Sequence, residues 1–257
     1  PDALLNFGYI KEGSILYRFW QRINEKVYKR ANRVLTISNV MKDILENTTQ
    51  KSKVEVIYPW VDVSFIKPID KKENWFVQEN KLLEKQVILY SGNMGVTHDL
   101  MTVMKTAKEL NNSSNNFHFL FIGDGAQRVS LERYKEDNKL NNVTFLPYQD
   151  SEVLPFSFAS ADFGIVSLGK GAEGLSVPSK TFYMLAAGLA IISISRPNSE
   201  VSNLVQENNC GVSIIPSDHR CLFKFLNNYT DSDLKKFKKN SRNLSKRFNH
   251  KNAFKFL

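Results

Sequence analysis

The chain lacks most of the features that would settle a function at once. Only two cysteines occur in 257 residues, Cys210 and Cys221, with no metal-like spacing and too few for a disulfide framework. They read as ordinary packing residues in a reducing interior. Four histidines, His98, His118, His219 and His250, are scattered without ligand spacing, so no metal centre is predicted. No window approaches the roughly 18 unbroken apolar residues of a membrane span, and the opening residues do not form a signal peptide. The dinucleotide fingerprint, the phosphate-binding P-loop with its lysine, and the strained elbow that presents a nucleophilic serine are all missing. No repeat or low-complexity tract competes with a globular reading.

What is present is an ordinary globular composition, 42% hydrophobic and 24% charged, with lysine and arginine outnumbering acidic residues 35 to 26 for a net charge of +9. That balance favours anionic partners such as phosphorylated small molecules or an anionic membrane surface. Nucleic acid is disfavoured, because stacking platforms and known nucleic-acid motifs are missing. The basic residues concentrate in Phe19–Arg33 and in the run from Asp233 to Lys255, interleaved at helical spacing with apolar ones such as Leu234, Phe237, Leu244 and Phe248. Such a stripe is a solvated helix face or a membrane-surface contact.

Periodicity predicts helices over Ser14–Ala31 and Asn39–Glu46 around a short strand at RVLTIS, with a second strand at KVEVIY. Pro59 and Pro68 then interrupt every pattern and mark a linker. Beyond it, apolar runs alternate with helices: strands at QVILYSG, FHFLFIG, VTFLPY, DFGIVSL, LAIISI and CGVSII, and helices at Asp99–Leu110, Ala126–Lys139, Glu152–Ser160 and Glu200–Glu207, before two closing helices. This predicts an α/β fold with a doubly wound parallel sheet, whose ligands bind at the carboxyl ends of the strands.

Three glycine-bearing loops fall at those ends: Gly92–Gly95, Gly123–Gly125 and Gly169–Gly174. Glycine lets backbone N–H groups approach an anion without a Cβ in the way. Asp124 reads as a cap for the helix that follows it, and Asp231 and Asp233 read as caps rather than as a metal-binding pair. The stretch from Gly171 to Ile194 combines a loop, a helix and a buried strand. Pro178 suits a first helical turn, Ser176 or Ser179 suits its cap, Gly188 suits its end, and Lys180 lies where a phosphate would be held.

Taken in order, SGNMG, IGDGAQR, NVTFLPY, SADFGIVSL and VPSKTFYMLAAG resemble the carboxyl-terminal half of a family-4, GT-B-type glycosyltransferase, in the branch that builds bacterial capsule, O-antigen and colanic-acid-like polysaccharides. The resemblance implies two facing Rossmann-like domains. Residues 1–66 would be the end of the amino-terminal acceptor domain with the hinge, 67–245 the nucleotide-sugar-binding domain, and 246–257 the end of its last helix. The protein would then be a fragment, with most of its acceptor domain before Pro1 and little activity of its own.

By position, the resemblance places Gly92, Asn93, Met94 and Gly95 at a diphosphate with His98 just beyond, and Pro147 and Tyr148 at the base. Leu175, Ser176 and Val177 would lie near the sugar or phosphates. Leu175 and Tyr183 stand where many members carry two glutamates, and Glu173 could replace the first. Lys180, with Glu173, is the catalytic candidate, neutralising the leaving diphosphate. The implied activity is retaining, metal-independent transfer of a hexose, with no cofactor beyond a UDP- or GDP-type donor, to a lipid-linked or oligosaccharide acceptor. The implied location is cytoplasmic, at the inner face of the membrane. An epimerase of the same fold and a non-catalytic polyanion- or nucleotide-binding module are the alternatives.

Overall fold

The computed structural model describes residues 5, 8–47, 53–111, 113, 116–169 and 176–256. Its centre is a six-stranded, wholly parallel sheet made of β3 (Gln86–Ser91), β4 (Phe117–Ile122), β5 (Val143–Leu146), β6 (Phe163–Ser167), β7 (Ala190–Ile194) and β8 (Gly211–Ile214), in the spatial order β5-β4-β3-β6-β7-β8. A separate parallel pair, β1 (Val34–Thr36) and β2 (Val54–Val56), lies nearer the amino terminus. The α/β class and the parallel sheet expected from the sequence are those observed.

The helices are α1 (Ile15–Arg30), α2 (Asn39–Glu46), α3 (Trp75–Glu79), α4 (Met101–Leu110), α5 (Arg128–Asp137), α6 (Leu154–Ala159), α7 (Lys180–Ala186), α8 (Glu200–Glu207), α9 (His219–Asn228) and α10 (Asp231–Ser245). A final 3₁₀ segment spans His250–Phe256. Because side chains alternate along a strand, each central strand feeds two cores. Val87, Leu89, Leu120, Ile122, Val166 and Ile191 face the core that holds Phe182, Met184, Leu185 and Leu244. Ile88, Tyr90, Phe119, Phe121, Ile165 and Ile192 face the one that holds Leu100, Met104, Leu131 and Leu222. Both faces being covered explains why the strands read as continuous apolar runs.

Strand order reverses between β3 and β6. The ladder from β3 to β4 runs the whole strand, from Gln86↔Phe117 to Ser91↔Ile122. By contrast, β3 meets β6 only at Ile88↔Phe163 and Leu89↔Gly164. The two strands therefore part before their carboxyl ends, opening a crevice at the switch point of the sheet. Their amino ends are clamped instead. Asp162, just before β6, accepts from Lys71 Nζ at 2.5 Å, Lys238 Nζ at 3.2 Å and the Val87 N–H at 3.0 Å.

Several local expectations are corrected. Helix α7 begins only at Lys180, and Ser179 at its N-cap makes no side-chain bond. Pro178 lies outside the helix, its carbonyl accepting from Thr181 N–H at 3.0 Å. Asp124 caps no helix: its carboxylate accepts the next residue's N–H, from Gly125, at 2.7 Å, and α5 starts four residues later. Helix α3, a single turn capped by Asn74, was not expected. In α10, Thr230 and Asp233 form a capping box, as a capping role for that acidic cluster requires. Leu244 and Phe248 are buried and Leu234 and Phe237 half-buried against the cores, so this helix spends its apolar face inside the molecule. No helix among the described residues is long and apolar enough to cross a membrane.

Candidate functional site

The loop leaving β3 is stitched into place by its neighbours. Gly92 N–H donates to the Ile122 carbonyl at 2.8 Å and Met94 N–H to the Asp124 carbonyl at 2.7 Å. Gly123, at φ 130°, permits this approach, because a Cβ there would strike the Gly92 carbonyl. Gln127 fixes the outer part, with its N–H donating to the Met94 carbonyl at 3.0 Å and its amide nitrogen to the His98 carbonyl at 2.8 Å and to the Gly95 carbonyl. Gly169, at the exit of β6, lies against the same loop, since a side chain there would meet the Thr97 carbonyl.

This stitching corrects the picture of four amides free to face an anion. Two of them, on Gly92 and Met94, are consumed by the neighbouring loop. Among the described residues, the N–H groups of Asn93 and Gly95 donate to no protein acceptor. Met94 is fully buried in a core, so its side chain anchors the loop and faces no ligand.

Beneath the loop sits Tyr90, the penultimate residue of β3 and fully buried. Its hydroxyl donates to the Asn93 carbonyl at 2.5 Å and lies 2.7 Å from His98 Nδ1, which is 2.9 Å from that carbonyl. Burial raises the phenol's pKa. Burial, with Lys180 as the next cause, holds the imidazole below its usual 6.5, so His98 is neutral near pH 7.

Lys180 reaches the same place from the start of α7. Its Nζ stands 3.7 Å from the centroid of the Tyr90 ring, against Gly92, where an added Cβ would lie 3.5 Å away. The amine is buried and has no hydrogen-bond partner among the described residues. A cation over a desolvated aromatic face gains about 2 kcal/mol, whereas burying an unpaired ammonium costs several. Burial wins, and the lysine pKa is lowered to about 7.

The structure therefore brings Gly92, Asn93, Gly95, His98 and Lys180 to one crevice. Pro147 and Tyr148 follow β5 at the same edge of the sheet and are exposed. Ser176 is half-buried. Val177 turns its side chain into a core, which leaves only its backbone for a ligand. Tyr183 is half-buried and stacks on Phe158 at 5.7 Å. Glu173 and Leu175 lie outside the described residues. Sequence reading missed Tyr90, whose only signal is a hydroxyl-bearing aromatic at the end of an otherwise apolar strand. It also missed Arg128, which donates to the Gly123 carbonyl at 2.6 Å and pairs with Glu132 at 2.9 Å.

A family model described as glycosyl transferases group 1 matches residues 85–228, more than half of the chain. The chain belongs to the glycosyl transferases group 1 family. The matched span of this group 1 member runs from β3 to α9 and so contains every element that forms the crevice. WbjE of Pseudomonas aeruginosa, which bears the name of a glycosyltransferase, is 24% identical over 91% of this chain and 58% of its own length. WcaI of Escherichia coli (strain K12), which bears the name of a colanic acid biosynthesis glycosyl transferase, is 30% identical over 48% of this chain and 30% of its own length. The crystal structure of Anabaena HepE in complex with UDP-glucose superposes with a TM-score of 0.73 at 15% identity, over 89% of this chain and 63% of that one. The fold of the group 1 chain is thus GT-B-like, and the chain spans less than two thirds of the length of each of these relatives.

Proposed function

We propose that this chain is the donor-binding part of a retaining, metal-independent glycosyltransferase that moves a hexose from a nucleotide-diphosphate sugar to a lipid-linked or oligosaccharide acceptor in surface polysaccharide synthesis. The observation that carries the reading is the buried Lys180 amine, without a hydrogen-bond partner among the described residues, in the crevice at the strand-order switch. An amine in that setting is suited to an anion. The diphosphate of a UDP- or GDP-type donor would lie against Lys180 and the N–H groups of Asn93 and Gly95, with the base toward Pro147 and Tyr148. Ser176, Val177 and Tyr183 would border the sugar side, with Leu175 and Glu173 on the adjoining loop.

As the bond to the sugar breaks, negative charge grows on the departing diphosphate, and a fixed cation there stabilises the transition state more than the ground state. That is the role proposed for Lys180, and it lets the reaction proceed without a metal or other cofactor. His98, neutral and tied to Tyr90, would hold the loop rather than carry charge. The family membership and the UDP-glucose bound by HepE support this choice of donor. The enzyme would work on the cytoplasmic side, with α1 at the inner face of the membrane.

Calorimetric titration with UDP, GDP and ADP tests the donor site. One nucleotide binds selectively without magnesium, and Lys180→Ala weakens it by the roughly 1.5–3 kcal/mol of a hydrogen bond to a charged group. Equal, weak binding of all three that salt abolishes would instead mark a non-specific polyanion site and defeat the proposal.

A further inference from the structure

The crevice places a buried amine on the face of an aromatic ring, and no carboxylate among the described residues pairs with it. Lys180 Nζ meets Tyr90 from β3, and His98 approaches from the loop that follows. The described charged groups on the neighbouring loops are engaged elsewhere: the Asp99 carboxylate accepts from Thr102 and from the Ser217 N–H. The Arg128 guanidinium of α5 holds the Gly123 carbonyl and Glu132, and the Asp124 carboxylate holds the Gly125 N–H. Tyr148, beyond β5, is exposed. No described group is therefore placed to keep this amine charged, and the unengaged N–H groups of Asn93 and Gly95 belong to the loop it lies against.

We propose that Lys180 rests as a neutral amine on the Tyr90 ring and is protonated by the arrival of the donor's diphosphate, so that donor binding takes up a proton from solvent. This rests on the donor-site reading above and adds to it a regulation, namely that affinity for the donor is set by pH through one side chain. The neighbours do not share the titration. Burial keeps the Tyr90 phenol protonated well above its usual range, and His98, held below 6.5, is already neutral at pH 8. Among these described groups it is the lysine, lowered to about 7 by burial, that changes charge when an anion enters.

The test is calorimetry of the 257-residue chain with UDP, or with whichever of UDP, GDP and ADP binds. It is run at pH 8 and pH 9, where the nucleotide's own phosphates are fully ionised, in HEPES and Tris, whose ionisation heats differ. The wild-type chain takes up about 0.9 proton per nucleotide at pH 8, and its affinity falls about tenfold from pH 8 to pH 9. Lys180→Arg, which stays charged, binds without proton uptake and without that fall. Lys180→Met binds weakly and is likewise independent of pH. Nucleotide binding with no proton uptake by the wild type would overturn the inference while leaving the donor site standing. So would uptake that persists in Lys180→Met. Absence of binding by every nucleotide at both pH values would bring down the donor-site reading itself, and this inference with it.

Discussion

At Lys180 the demands of folding oppose the charge that the proposed role needs. In the unfolded chain the side chain titrates near 10.5, while in the fold burial lowers it to about 7. A group whose folded value is depressed in this way binds fewer protons in the native state between those two values, so stability rises with pH across that window. Below about pH 7 both states are protonated, and the penalty is present in full. Lys180→Met removes the buried charge while keeping most of the volume, and at pH 7 it stabilises the chain by about 2–4 kcal/mol. The gain shrinks as pH approaches 10. Urea titration at pH 7 and pH 9.5 checks this: Lys180→Met shows the larger midpoint increase at pH 7, and equal or negative shifts would show that the amine is not buried at a cost. Among the described residues only the Tyr90 ring lies against this amine, as suits a side chain proposed to meet a ligand from outside the protein.

At the scale of elements, legibility followed burial. The strands were plain because both faces of the sheet are covered and their sequences are apolar throughout, as in the QVILYS of β3 and the FHFLFI of β4. Helix starts were less plain: Ser179 caps nothing, and α7 gains its position from Phe182, Met184 and Leu185 packing into a core. Helix α3 escaped notice because one turn carries no periodicity. Two of the glycine loops at strand ends, with Gly169 of the third, were readable as the crevice, but not its contents, because Tyr90 and Lys180 are 90 residues apart and their meeting depends on β3 and β6 parting.

Helix α1 shows the limit from the other side. Its periodicity was clear, yet it buries no residue, leaving Ile15 89% and Phe19 55% exposed beside Arg18, Arg22 and Lys26. With the apolar face of α10 spent in the cores, α1 is the element that would carry attachment to an anionic surface. The expected outcome is sedimentation of the chain with vesicles containing phosphatidylglycerol but not with pure phosphatidylcholine, and loss of that binding on combining Phe19→Ser with Arg22→Glu. Equal binding to both kinds of vesicle, or to neither, would assign this face to protein contacts.

At the scale of the whole molecule, a buried carboxylate of the large-sheet part reaches the β1–α2–β2 unit. Glu200, in the first turn of α8 and 3% exposed, accepts from the Val40 N–H at the start of α2 at 3.1 Å and from the Tyr58 hydroxyl at 2.7 Å. Tyr58 also accepts from the Asn39 amide at 2.8 Å and packs edge-on against Phe248. The carboxylate thus lies near the positive ends of two helices at once and supplies an N–H acceptor to α2 from across the molecule. Because α2 buries none of its own residues fully, this link carries an unusual share of its anchoring.

Glu200→Ala leaves the Val40 N–H and the Tyr58 hydroxyl without their acceptor and opens a small cavity, at a cost of about 2–3 kcal/mol. That cost should fall locally. Amides of α2 and β2 then exchange with solvent deuterium roughly 10- to 100-fold faster, while β3, β4 and β7 keep their protection. Glu200→Gln, which retains a carbonyl acceptor, recovers much of the difference. A uniform loss of protection across both sheets would show instead that Glu200 supports the main core, and that the two parts unfold as one.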